Sequence, residues 1–84
     1  MKKLNLIHVG TFGTPIGWKG EIKVNIFTSN FEVFKNLGKY YNFDGTIEWK
    51  FKKMFLNNNK LITHPEKCLN RNDTLLLRNK KIFL

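Results

Sequence analysis

The sequence predicts a small, closed all-β barrel carrying one or two short helical turns. Three observations predict it. First, apolar and polar residues alternate over short runs. The clearest sets Ile22, Val24 and Ile26 against Glu21, Lys23 and Asn25, the period of a half-buried strand. Second, turn residues punctuate these runs: Gly17 to Gly20, Asp44-Gly45, and Asn57-Asn58-Asn59. Many short strands divided by such turns suit a barrel, which also removes the edges a free sheet leaves. Third, 84 residues make one domain with one modest core, since a chain this small buries only about 60–65% of its unfolded surface.

Leu6 to Val9 reads as the first strand. A loop rich in glycine follows, with Gly10, Gly13, Gly17 and Gly20 around Phe12, Trp18 and Lys19. Glycine at that density describes tight turns. Glu21 to Phe27 is the second strand. Ser29 and Glu32 then have capping-box spacing, and Phe31, Phe34 and Leu37 recur at helical intervals before Gly38 closes the turn. Lys39 to Phe43 is a short strand, and Asp44-Gly45 suits a type I′ hairpin turn. Thr46 to Leu56 is the longest strand, with Ile47, Trp49 and Phe51 on one side and Glu48, Lys50 and Lys52 on the other. The run Met54-Phe55-Leu56 breaks that register and predicts a bulge or barrel corner. Lys60 to His64 pairs back, and Pro65 ends it. Asn70 caps a second short helix with Asp73 in its first turn. Leu75, Leu76 and Leu77 are its predicted buried face, Asn79 its stop, and Lys80 to Leu84 the last strand.

The net charge is +9, from 15 Lys and Arg against 6 Asp and Glu. Such a surplus suits a polyanion, RNA above all. Composition alone accounts for part of it. Ala and Gln are absent, and all the cations but Arg71 and Arg78 are Lys, as an AT-rich coding sequence produces. One Cys excludes an internal disulfide and a multi-cysteine metal site. Met1-Lys2-Lys3 is basic, but no apolar run after it is long enough for a signal peptide. No stretch approaches the roughly 20 apolar residues of a spanning helix. The expectation is a cytoplasmic protein without membrane contact.

Catalytic groupings are not suggested. His8, His64 and Cys68 are the only imidazoles and thiol, and their settings pair none of them as nucleophile and base. His8, between Ile7 and Val9, reads as a structural histidine, and Cys68 beside Leu69 as a small buried hydrophobe. The glycine loop matches neither a P-loop nor a dinucleotide fingerprint, because a strand follows it. No cofactor, metal or small-molecule substrate is expected.

The stretch Gly17-Trp18-Lys19-Gly20-Glu21-Ile22-Lys23-Val24 resembles the Gly-x-basic-Gly-Glu-aliphatic-basic-Val motif of the N-terminal domain of the RimM family, ribosome maturation factors that process 16S rRNA. The likeness returns at Asn70-Arg71-Asn72 and at Leu77-Arg78-Asn79-Lys80 before Ile82-Phe83-Leu84. Ile16 stands where the family has His, Trp18 where it has a smaller aliphatic, Asn70 where it has Asp, and Asn79 where it has Gly. The resemblance implies a six-stranded antiparallel barrel like the second domain of translation elongation factors. It also implies a second, PRC-barrel domain that these 84 residues do not include. It implies a non-catalytic role in maturing the head of the small ribosomal subunit, with the immature subunit, its 16S rRNA and a head ribosomal protein of the S19 family as partners. A monomer is expected.

On the residues themselves, the RNA or ribosome contacts are expected from Trp18, Lys19, Lys23, Arg71, Arg78 and Lys80. The lysines and arginines would meet phosphate, and Trp18 would offer a stacking face. Gly13, Gly17, Gly20 and Glu21 shape the loop, with Glu21 paired to Lys19 or Lys23. Arg71 either bridges the helix to the barrel or points to a phosphate. Two other readings stand beside this one. A generic single-stranded RNA-binding barrel would use Trp18, Tyr40 and Tyr41 as platforms. A purely structural module of a larger protein would bind neither RNA nor ribosome.

Overall fold

A long first strand, β1 (His8–Ile16), organises the molecule. It pairs antiparallel with β2 (Glu21–Ile26) on one side and with β7 (Lys81–Phe83) on the other. The computed structural model describes residues 6–84; the basic start Met1–Asn5 lies outside the described residues. Between β2 and β7 come α1 (Phe31–Lys35), β3 (Tyr40–Tyr41), β4 (Glu48–Trp49), β5 (Phe51–Asn57), β6 (Lys60–Pro65) and α2 (Arg71–Leu75). All ladders are antiparallel, and the sheet order is β4-β3-β7-β1-β2-β6-β5.

The all-β class holds, but the six-stranded closed barrel does not: among the described residues seven strands form, and no ladder joins β4 to β5. The cause is local. The long strand expected from Thr46 to Leu56 is cut at Lys50, whose carbonyl accepts from Glu66 N at 2.8 Å. Its first part pairs with β3 and its second with β6. One bent stretch of chain therefore supplies both ends of the sheet, so it curls without a closing ladder. The register shift falls between Phe51 and Lys53, earlier than the run Met54-Phe55-Leu56 suggests.

The core packs inside this curl. Val9, Phe12, Ile22, Val24, Phe34, Tyr40, Leu61 and Ile82 are buried together, with Trp49, Phe51, Met54 and Leu77 packed against them. Phe12 is the hub: Trp49 meets it edge-on at 5.3 Å between centroids. Ile22 and Val24 point inward as their alternation requires, opposite Thr63 and Leu61 of β6. Thr63 is fully buried because its hydroxyl donates to Ile22 O at 3.1 Å, and a buried hydroxyl needs a partner. His8 is structural, its Nε2 3.1 Å from Thr11 Oγ1 and its ring against Phe27 and Phe83.

Both helices form, α1 with a different cap from the expected one and α2 with a different buried face. For α1 the cap is Asn30, one residue after Ser29, and its side chain accepts from Val33 N at 2.9 Å. Asn70 caps α2 as expected, accepting from Asp73 N at 3.2 Å. The buried face of α2 is not the leucine run, since Leu75 and Leu76 are exposed. Beyond Asp73 the amides bond three residues back, Leu76 to Asp73, Leu77 to Thr74 and Arg78 to Leu75. That tight winding stacks positions three apart on one face, so Thr74 and Leu77 turn inward together. Thr74 can be buried because its hydroxyl donates to Arg71 O at 2.8 Å. The helix itself ends at Leu75 with Leu76 as its C-cap, earlier than an Asn79 stop would place it; Asn79, in the left-handed region at φ 69, ends the turns that follow.

Candidate nucleic-acid interface

The turn between β1 and β2 is narrower than the glycine-rich stretch suggests. β1 runs on through Gly13 and Pro15 to Ile16, leaving only Gly17 to Gly20 as turn. Gly13 is not a turn residue; it lies in the strand, close to the Asn25 side chain of β2. Gly17 and Gly20 take φ of 62 and 100, which side-chain-bearing residues resist. Trp18 between them is 73% exposed. Lys19 Nζ lies 6.0 Å from its ring centroid, at the outer limit of a cation–π contact.

Arg71 ties this turn to α2. Its backbone amide donates to Trp18 O at 3.1 Å, and its Nη1 donates to Gly17 O at 3.3 Å. Of the two roles open to Arg71, bridging is therefore the one observed, and it holds Trp18, Lys19 and the Arg71 guanidinium side by side. Gly20 is pinned from below, where an added Cβ would stand 2.5 Å from Cys68 O. That carbonyl is itself 2.9 Å from His64 Nε2.

The remaining expected contacts sit elsewhere. Lys23, half-buried on β2 opposite Ile62, lies further along the strand and lines a cavity with Lys60, Asn25 and Asn59. Arg78 and Lys80 flank Asn79 at the far end of the α2 segment. There Asn79 N donates to Phe12 O and Phe12 N to Lys80 O, both at 2.9 Å. The six residues thus form three groups spread over one molecule. Glu21 pairs with neither Lys19 nor Lys23. It reaches across β6 to Lys53, Oε2 to Nζ 3.1 Å, because strand register sets Ile22 opposite Thr63 and Lys53 opposite His64. Half-exposed, that pair is worth about 0–1 kcal/mol.

Tyr40 is no stacking platform. It is 4% exposed, its ring stacks on Phe34, and its hydroxyl donates to Phe34 O at 2.6 Å. Burial pushes its phenol above the ordinary value against the opposing pull of a backbone hydrogen bond from Gly38. Cys68 is buried, and burial followed by the charge of Asp73 pushes its thiol up. Among the described residues, no three His, Cys, Asp or Glu gather as a metal set, and no helix is long and apolar enough to cross a membrane.

Sequence reasoning missed Phe43. Taken for the end of a strand, it is 71% exposed on a loop that is not the expected two-residue turn. A type I′ turn needs φ > 0 at both central residues, and only Gly45 has it. Asp44 instead closes the loop with its side chain, accepting from Thr46 N at 3.1 Å and Thr46 Oγ1 at 2.6 Å. These bonds hold its carboxyl below the usual carboxylate range. The signal was present as Asp44-Gly45-Thr46, since Asp bonding two residues on is a common turn device.

With this geometry in hand, kinship is informative. Residues 7–84 match the family model described as the RimM N-terminal domain. The protein named ribosome maturation factor RimM of Ehrlichia ruminantium (strain Gardel) is 31% identical over 95% of this chain and 46% of its own length. That of Wolbachia pipientis wMel is 32% identical over 95% of this chain and 47% of its own length. The chain spans about half the length of the curated relatives it matches. Two solved structures share the fold. The solution structure of the N-terminal domain of RimM from Thermus thermophilus superposes with a TM-score of 0.79, over 96% of this chain and 89% of that one. A crystal structure of the protein named RimM from Pseudomonas aeruginosa gives 0.81, over 95% of this chain and 50% of that one. Both are 18% identical, so they speak to the fold alone. The family match across residues 7–84 and relatives at 31% and 32% identity decide the kinship: the chain belongs to the RimM family, through the part that corresponds to its N-terminal domain.

Proposed function

We propose that this chain is a non-catalytic ribosome-assembly domain of the cytoplasm. It binds the immature small ribosomal subunit near its head, touches 16S rRNA there, and favours one conformation of that region by binding it better than the others. The observation that carries the reading is the β1–β2 turn, an exposed Trp18 set beside Lys19 and Arg71 on a backbone anchored to α2. An exposed aromatic ring on an anchored backbone, with cations nearby, suits an unstacked base and its phosphates. The relatives' name, ribosome maturation factor, supplies the setting. Lys23, Arg78 and Lys80 add phosphate contacts around the molecule, and a contact with a head ribosomal protein adds to these. On this reading the domain acts as a monomer.

The experiment is a pull-down of small-subunit particles with the chain carrying Lys19→Glu and Lys23→Glu. The expected result is loss of most particle binding with an unchanged melting temperature. Undiminished binding by the charge-reversed chain contradicts the reading.

A further inference from the structure

A second meeting place of aromatic and cationic groups lies away from the β1–β2 turn. It is a groove of about 420 Å³ beside the 42–47 loop, lined by Phe43, Ile47, Trp49, Asn79, Lys80 and Lys81. We propose that this groove takes one unpaired base and the adjoining phosphates of single-stranded RNA. The proposal rests on the ribosomal reading above and deepens it by naming where a single strand is gripped.

Three features carry it. The first is a platform fixed in advance. The Trp49 indole N–H donates to Lys81 O at 3.2 Å, and the ring stands edge-on against Phe12, so little freedom is left to lose on stacking. The second is Phe43, left exposed on a loop that is tightly bonded. Asn42 N donates to Ile47 O at 2.9 Å, Ile47 N to Asn42 Oδ1 at 3.1 Å, Gly45 N to Asn42 O at 3.2 Å, and Asn42 Nδ2 to Thr46 Oγ1 at 3.2 Å. A loop held this firmly keeps its aromatic side chain in water, where apolar area is unfavourable until something covers it.

The third feature is charge. Lys80 and Lys81 line the groove and no acid does. Asp44, the acid next to Phe43, is engaged by Thr46. The neighbouring groove across Ile47 and Trp49 differs, because Glu48, Glu66 and Asp73 stand there among its lysines. An apolar peptide has no need of an acid-free lysine pair. A nucleotide does, with its π face for Phe43 and Trp49 and its phosphates for the ammonium groups.

The test is a titration of the isotope-labelled chain with a uridine hexanucleotide, following the Trp49 indole N–H and the Asn79 and Lys80 amides by NMR. These signals are expected to shift saturably. Phe43→Ala is expected to weaken affinity about tenfold, with the melting temperature unchanged because the ring is exposed. Lys80→Gln with Lys81→Gln is expected to lower the slope of log affinity against log salt by about 1.4, roughly 0.7 for each lost phosphate contact. Binding that moves Trp18 and leaves Trp49 unmoved overturns the groove and spares the ribosomal reading. Shifts at Trp49 in a chain that ignores ribosomal particles overturn that reading and spare the groove. Shifts at Trp49 produced by an apolar peptide and not by the oligonucleotide overturn the groove in favour of a protein partner.

Discussion

Replacing Gly20 with alanine should cost far more stability than the same change at Gly17, three residues away in the same turn. Both glycines have positive φ, 100 and 62, and only their surroundings differ. At Gly17 an added Cβ meets nothing within 4 Å. The cost is then the left-handed backbone, about 1–2 kcal/mol, offset by about 0.4–1 kcal/mol from a less flexible unfolded chain. The net is about 1 kcal/mol. At Gly20 the Cβ would stand 2.5 Å from Cys68 O, 3.0 Å from Cys68 C and 3.1 Å from His64 Nε2.

Those first two atoms are backbone, so the 64–68 segment has to shift. Moving it breaks the hydrogen bond between His64 Nε2 and Cys68 O, 2.9 Å long, worth about 0.5–1.5 kcal/mol. Strain at this φ adds about 1–3 kcal/mol. With the same offset of about 0.4–1 kcal/mol from the unfolded chain, the net is about 2–2.5 kcal/mol, roughly 1.5 kcal/mol beyond Gly17→Ala. For a domain of this size that gap is about 6–12 °C in melting temperature. Parallel urea and thermal melts of the two variants read it directly. Equal losses would show that contact with Cys68 does not decide the energetics of this turn.

Three further outcomes follow from the packing. Thr63→Val keeps the shape and removes the buried bond to Ile22 O, so urea unfolding should report a loss of about 1–2 kcal/mol. Asn70→Ala removes the cap of α2; a loss of about 1 kcal/mol is expected, with faster amide exchange at Asp73. Alkaline pH should destabilise the fold. Tyr40 and Cys68 both have raised values in the folded protein, chiefly from burial, so the unfolded chain gives up those protons first. Stability is therefore full below the ordinary thiol range and falls as pH rises from about 8 to 10 and beyond. Thermal melts across that range should show the fall, and Tyr40→Phe should flatten its upper part.

Several of these features were legible in the residues, and the reasons differ. The β2 alternation, the Asn70 cap and the left-handed turn at Asn79 are local preferences that the fold leaves undisturbed. The turn carrying Trp18 was legible because Gly17 and Gly20 meet a demand of the backbone. The length of β1 was not, because Gly13 and Pro15 resemble turn residues, while their place is set by pairing on β2. The cut at Lys50 was also hidden. It depends on which strands lie beside each half of the run, a matter of distant residues such as Tyr40 and His64. The burial of Tyr40 comes from Phe34 and Phe51, neither adjacent in sequence. The grouping of Trp18 with Arg71 joins positions separated by most of the chain and needed the fold to appear.

Preference for unfinished ribosomal particles tests the whole account most directly. Small subunits from cells lacking their maturation factor, and mature subunits from ordinary cells, are each titrated with the labelled chain at one salt concentration. Tighter binding to the immature particles is expected, weakened by Lys19→Glu with Lys23→Glu. Equal affinity for both particle types, or none for either, would contradict it.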